Sequence, residues 1–547
     1  MKGLAALFAL ILAFVATIAP ARAQGQMAIN LADVNDWSTQ QPFLDVFKSA
    51  RPWIGHLPRT WGGAEHEDLE AAGYLDPDGW PVAIPPELRS IGTLILTDLP
   101  TEAVDTAGRY RLTFDGDGIV EAGGRAQKVR YGKGEIRFDF TPGQGGVDIR
   151  IQKTDRKRTG DYVRNIRVVK EDNAEALDNG ALFNPVWTDK IRGFAALRFM
   201  DWMRTNNSEQ AEWANRPQVS HYSWARFGVP AEVLVALANQ MQADAWFNMP
   251  HKATDDYVHN FARLVHDQLD TDRKAYVEYS NEVWNWTFQQ AHYADAKARE
   301  LWDGARDVWL QYYGARAAEI GLIWAEEFGL DAPDRLIRVA ATQTGWLGLE
   351  EQILEATLWR ARNPARPRPA TLFDAYAVTG YFGGILGTEQ RAPMMVDWLQ
   401  QSKDLAGDSG DIYAFASAQA GVELQDGLVS GDPADTLADL LGRVLPYHAE
   451  IAQREGLDLI MYEGGSHVAG IGPMADNKEL TDFFVHFNYT AEMATLYEQL
   501  IAGWHQLGGG LFGAYSDVQK TSKWGSWGAL RHLSDDNPRW DVLEAAK

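Results

Sequence analysis

The chain has 547 residues, and with 75 acidic against 51 basic side chains its formal net charge is −24. Such an acidic surface argues against nucleic acid and anionic membranes as partners. There is no cysteine, so disulfides and thiolate chemistry are excluded, and a core drawn from roughly 520 residues buries most of its apolar surface without covalent staples.

The first residues, MKGLAALFALILAFVATIAPARAQG, pair Lys2 with a short apolar run and close on Ala21-Arg22-Ala23. That is the form of a secretory signal cut after Ala23, because the run falls short of the ~20 apolar residues that cross a bilayer. Residues 1–23 are expected to be removed, leaving an exported, periplasmic or secreted protein with no membrane attachment. Next, MAINLADV, 27–34, reads as a strand and QPFLDVFKSA, 41–50, as its helix, making 24–54 the first βα unit of a barrel.

Residues 55–178 have another rhythm. Turn signals such as DPDGWP, FDGDG and TPGQGG separate the short alternating runs GRYRLTF, GEIRFDF, GVDIRIQ and VRNIRVV. This spacing predicts an antiparallel β-sandwich. DPDG and DGDG fit turns, since the full EF-hand loop is absent.

From 179 onward apolar strand runs alternate with helical stretches, the pattern of a parallel sheet. The strands are FAALRFM (194–200), ADAWFNM (243–249), AYVEYSN (275–281), RLIRVAA (335–341), LFDAYAV (372–378), LDLIMYE (457–463) and GGLFGAY (509–515). PAEVLVALANQMQ opens on Pro230 as a helix does, and ADTLADLLGRVLPYHAEIAQREG keeps helical spacing up to Gly456. Seven strands plus 27–34 make eight. The predicted fold class is α/β: a (β/α)8 TIM barrel over 24–54 and 179–547, with an antiparallel β-sandwich domain inserted at 55–178.

Barrel enzymes work at the carboxyl ends of their strands. There, VEYSNEVWNW (277–286) sets Glu282 against two tryptophans after strand four, and LIMYEGGSH puts Glu463 at the end of strand seven. An acid in apolar company resists ionising, which suits a proton donor; a salt-bridged structural glutamate is the alternative. Two carboxylates on opposed strand ends are what glycoside hydrolysis requires, one to protonate the departing oxygen and one to attack the anomeric carbon or activate water. The 21 tryptophans agree, because sugars stack on flat amphipathic rings.

Asn-Glu after strand four with Glu after strand seven resembles the clan A retaining glycoside hydrolases. The resemblance covers the barrel only. It implies that Glu282 is the acid/base, that Asn281 binds the sugar 2-hydroxyl and that Glu463 is the nucleophile. It also implies an aromatic or His near the nucleophile after strand six, for which Tyr381 is the candidate, and a sugar-stacking Trp beyond strand eight, where Trp524 and Trp527 lie. Arg198 and Asp201 stand where they would orient the nucleophile or pair with each other. Asn248, His251 and His467 are further candidate sugar contacts, and Trp284 or Trp286 would line the leaving-group side.

Other chemistry is poorly supported. GGGLFG (508–513) has dinucleotide-type glycines, but they lead into a strand and open no helix; HExxH, P-loop and GxSxG motifs are absent. No metal or other cofactor is expected. The sequence therefore predicts a retaining glycosidase acting on a β-linked, mostly neutral poly- or oligosaccharide. A non-catalytic carbohydrate-binding or scaffold protein, and a transglycosylase using the same two glutamates, remain the alternatives.

Overall fold

In the computed structural model, residues 26–407 and 410–547 are described, and the expected signal segment at 1–23 lies outside them. Eight parallel strands close into a barrel: β1 (Met27–Asn30), β2 (Ala196–Arg198), β3 (Asp244–Met249), β4 (Ala275–Tyr279), β5 (Leu336–Ala341), β6 (Ala375–Phe382), β7 (Asp458–Ser466) and β8 (Phe512–Ala514). β1 completes the ring by pairing with both neighbours, Ala28 opposite Ala196 on one side and Gly513 on the other. These strands are buried on both faces, because helices cover the outside and side chains fill the inside.

Between β1 and β2 the chain forms two antiparallel sheets. One has four strands (108–115, 127–131, 135–140 and 164–170); the other has five (54–56, 63–64, 90–95, 119–124 and 147–153). They enclose a core of their own, separate from the barrel core. The segment leaves from the carboxyl end of β1, the face where barrel active sites lie, and it is tied back to the barrel there. Arg51 Nη2 pairs with Asp36 Oδ2 at 2.6 Å, Lys48 Nζ donates to the His221 carbonyl at 2.7 Å, and the Asp105 amide donates to Ser534 Oγ at 3.1 Å.

Residues 41–50 are not the helix that their pattern suggests. Only one 3-10 turn forms, Val46–Ser49, because Asp45 accepts from the Phe47 amide and also from the Val168 amide of a sandwich strand. Val46, Phe47 and Ala50 then join the sandwich core. The helix that precedes β2, Pro185–Ile191, comes after the insertion and turns Trp187 into the barrel core. The 434–456 stretch is helical over Leu437–Asp439 and Leu445–Glu455, joined by a π-helical turn and closed by Gly456 at φ +71°.

The 20-residue helix Trp309–Phe328 braces the strands that carry the site. Tyr313 stacks on Tyr279 of β4, and its hydroxyl accepts from the Ala341 amide at the end of β5. Next to it, a Cβ on Gly314 would run into the Ile353 backbone carbonyl. Alanine at an open helical site gains up to ~1 kcal/mol over glycine, whereas overpacking against backbone costs ~1–3 kcal/mol. Gly314→Ala is thus expected to lower the urea midpoint, with a net loss of about 1 kcal/mol or more; an unchanged or raised midpoint would contradict this packing.

Candidate active site

Alternation along β4 turns Glu278 into the barrel, where it meets Arg198, Trp246 and Asn248, and turns Tyr279 outward onto Tyr313. Just beyond, two non-glycine residues take left-handed backbone, Ser280 at φ +61° and Glu282 at φ +42°. Such positions cost of order 1–3 kcal/mol each and persist only where the surroundings over-determine them. Here Asn248 Nδ2 holds the Ser280 carbonyl, the Met249 carbonyl accepts the Ser280 amide, and Gln290 Nε2 holds the Asn281 carbonyl. The sharp exit brings Asn281 onto Arg198 and Glu282 toward β7.

β7 supplies the other half through a bulge. Met461 is level with Val378 and Phe512, yet Glu463 is level with Thr379 and Gly464 with Ala514, so one extra residue is accommodated on β7. The bulge lets consecutive residues face inward together. Tyr462 lies under Arg198, and Glu463 reaches both Arg198 and Tyr381. Gly464 follows because any Cβ there would collide with the Met461 sulfur.

Arg198 connects these pieces. It is level with Asn30 on β1 and Trp246 on β3, and its side chain is fully buried. Nη1 donates to Glu463 Oε1 at 2.7 Å and to Asn30 Oδ1 at 3.0 Å. Nη2 donates to Glu278 Oε2 at 3.0 Å and to Asn281 Oδ1 at 2.9 Å. Its guanidinium lies 5.4 Å from the Trp246 ring centroid and 5.2 Å from that of Tyr462. Tyr381 donates to the second oxygen of Glu463 at 2.9 Å, so both oxygens of this carboxylate are fixed.

Glu282 has a different environment. It accepts from Asn285 Nδ2 at 2.9 Å and weakly from the Tyr462 hydroxyl at 3.4 Å, and among the described residues no cation pairs with it. Burial, followed by the charge of Glu463, pushes its pKa up to about 7. Asp201 is raised to about 7 as well, by burial and then by Asp33 and Glu463; its one hydrogen bond is from Tyr515 at 3.0 Å. One carboxylate clasped by arginine beside one kept from ionising is the division of labour that acid-base and nucleophilic chemistry requires.

The structure thus brings Glu282, Asn281, Glu463, Arg198, Asp201 and Tyr381 together, and no Arg198–Asp201 pair forms. Trp527 joins them, its ring 5.6 Å from Tyr381, 5.8 Å from Tyr515 and 5.2 Å from His467. The remaining candidates lie deeper or further out. Asn248 is fully buried, and its Nδ2 donates to Glu278 and to the Ser280 carbonyl, so it supports the site from beneath. His251 is buried edge-on against Tyr293, and burial lowers its pKa to about 4. Trp284 is buried against Tyr313 and Tyr462, and its neighbour Trp286 is the exposed indole. Trp524 stands exposed at a hairpin tip.

Sequence reasoning missed Glu278, Asn30, Tyr462 and Tyr515. Glu278 sits inside the stretch that revealed Glu282, and its inward register on β4 was the available signal. Among the described residues, no group of three or more His, Asp or Glu side chains is placed to hold a metal ion.

No protein-family model matches the chain, and no curated protein matches it. Among solved structures it is similar to a GH5 xyloglucan-specific endo-β-1,4-glucanase from a metagenomic library, at 12% identity over 66% of this chain and 86% of that one, TM-score 0.31. A broad-specificity GH5-4 endoglucanase from Clostridium cellulovorans gives 12% over 66% and 87%, TM-score 0.34. A structure of fungal β-1,4-galactanases gives 11% over 68% and 97%, TM-score 0.35. At such identities and TM-scores the likeness carries no argument, and the barrel rests on its own strand pairing.

Removing one partner of a buried ion pair costs ~3–5 kcal/mol, because the other charge is left without compensation. Arg198→Leu is therefore expected to lose stability on that scale in chemical denaturation. Adding Glu278→Leu should recover part of the loss, since one of the two stranded carboxylates is then gone; a double variant less stable than Arg198→Leu would refute this account.

Proposed function

We propose that the chain is a retaining glycoside hydrolase that cleaves a β-linked, mostly neutral poly- or oligosaccharide by double displacement. The observation that carries this reading is the contrast between the two carboxylates of one cleft. Glu463 is fixed at both oxygens by Arg198 and Tyr381, whereas Glu282 has no cation and a pKa raised to about 7. Export ahead of action, through residues 1–23, belongs to the same reading.

In the first step Glu463 attacks the anomeric carbon as the glycosidic bond breaks, and Glu282 gives its proton to the departing oxygen. Glu463 is now an uncharged ester, so the second-largest cause of the raised Glu282 pKa disappears. The Glu282 pKa then falls, which favours the ionised form that takes a proton from the water releasing the sugar. Loss of one charge thus converts the acid into the base.

Because Glu282 must start protonated, turnover of a natural glycoside should fall as pH rises through about 7. Glu282→Gln assayed on an activated aryl β-glycoside needs no proton donor, and its glycosylation step should lack this alkaline limb. If that limb persists unchanged, the proton belongs to another group, Asp201 first among them.

Stereochemistry tests the two roles. Proton NMR should show the β-anomer as the first product. Glu282→Ala should accumulate the glycosyl-enzyme on an aryl β-glycoside, and azide should restore turnover as the β-glycosyl azide. Glu463→Ala should yield the α-azide. Near-wild-type activity of both variants on a confirmed substrate would dismiss the pair, and reversed azide products would exchange their roles.

A further inference from the structure

Among the described residues five tryptophans are exposed, and four of them stand on loops that leave the carboxyl ends of barrel strands. Trp37 follows β1 and Trp524 follows β8, at 44% and 64% exposure; Trp286 follows β4 and Trp346 follows β5, at 44% and 54%. In the closed ring β8 adjoins β1 and β4 adjoins β5, and these two pairs face each other across the barrel. The exposed indoles therefore sit in two groups on opposite rims, one of them on the loop that carries Glu282.

Incomplete burial does not explain their position. Around Trp37, the residues from Val34 to Gln40 are otherwise all buried, held by turns such as Asn35–Ser38 and by Asp517 on Gln40. The fold encloses its neighbours and presents this one ring. Trp286 is backed by the buried Trp309 at 5.0 Å, which fixes its orientation. Rigid flat rings open to solvent match the C–H faces of pyranose units. Asp33 and Asp201, neither in a salt bridge among the described residues, offer hydrogen-bonding groups for sugar hydroxyls on the β1–β2 side.

We propose that the site is an open groove that holds a neutral β-linked polysaccharide chain on both sides of the bond to be cut, so that cleavage is internal. This rests on the hydrolase reading above. Glu282 protonates the leaving oxygen, so Trp286 and Trp346 on its rim hold the leaving-group side, and Trp37 and Trp524 hold the side that becomes attached to Glu463.

The test uses the full chain and four single variants, Trp37→Ala, Trp286→Ala, Trp346→Ala and Trp524→Ala, all at exposed sites and checked by circular dichroism. Probes are mixed-linkage β-glucan, glucomannan, β-1,4-galactan and xylan. Glu463→Ala should be retarded in gels containing at least one of them, and each added tryptophan variant should weaken that retardation by about three- to tenfold. On that polymer the wild type should lower viscosity well before reducing ends accumulate. Trp286→Ala and Trp346→Ala should lose more kcat/KM on polymer than on an aryl β-glycoside, whose leaving group is too short to span that rim.

Short sugars released from chain ends with viscosity unchanged, or four variants that all match the parent, would overturn the groove. Cleavage of aryl glycosides with neither retardation nor cleavage by any polymer would overturn it while the hydrolase reading stands. Tryptophan-dependent retardation with no cleavage of any substrate would keep the groove and overturn hydrolysis.

Discussion

A single guanidinium inside the barrel serves two carboxylates at once, and the rest of the site depends on that arrangement. Arg198 donates one arm to Glu463 and the other to Glu278, so one cation is shared between two buried acids, and burial raises the Glu278 pKa. The charge of Glu463 is felt nearby: after burial, it helps raise both Glu282 and Asp201. Burial is the larger cause of the raised Glu282 pKa, and the charge of Glu463 adds to it. A buried ion cluster is weak evidence for stability. Its consequence here is geometric, since Arg198 ties β1, β2, β4 and β7 to one another at the level of the chemistry.

The backbone answers to the same requirement. Ordinary alternation on β4 and β7 would send consecutive residues to opposite faces. Left-handed turns at Ser280 and Glu282, and the bulge at Tyr462–Glu463, break that alternation where two neighbouring side chains have to act in one cleft. Strain of this kind is tolerable because the barrel below is closed and fully packed, and because Asn248 and Gln290 hold the distorted carbonyls. The sandwich departs from the same end of the barrel and is anchored at Asp36, His221 and Ser534. A long insertion is compatible with the fold there because the loops at strand ends do not carry the barrel's hydrogen bonds.

Local pattern made much of this legible. Eight apolar runs with helical spacers defined the barrel strands, with their ends displaced by a few residues: 27–34 narrowed to Met27–Asn30, and 372–378 moved to Ala375–Phe382. Gly-rich turns between alternating runs defined the antiparallel sheets. Asn281, Glu282 and Glu463 stood out because strand ends and residue types coincide in the sequence itself. By contrast, 41–50 carries a pattern that fits a helix, and the competing Val168 amide on Asp45 is more than a hundred positions away.

What the sequence alone determined was therefore periodicity, strand count and which acids lie at strand ends, because these depend on neighbours a few residues apart. What tertiary structure decided was the fate of residues that look alike in one dimension. Glu278 reads as the polar side of a half-buried strand, and only closure of the barrel places it under Arg198 as a buried counter-charge. The tryptophans are equivalent in the sequence, yet Trp284 is packed beneath Tyr462 and Trp286, two residues on, faces solvent. Burial and charge balance are sums over every atom nearby, and those atoms come from strands hundreds of residues apart.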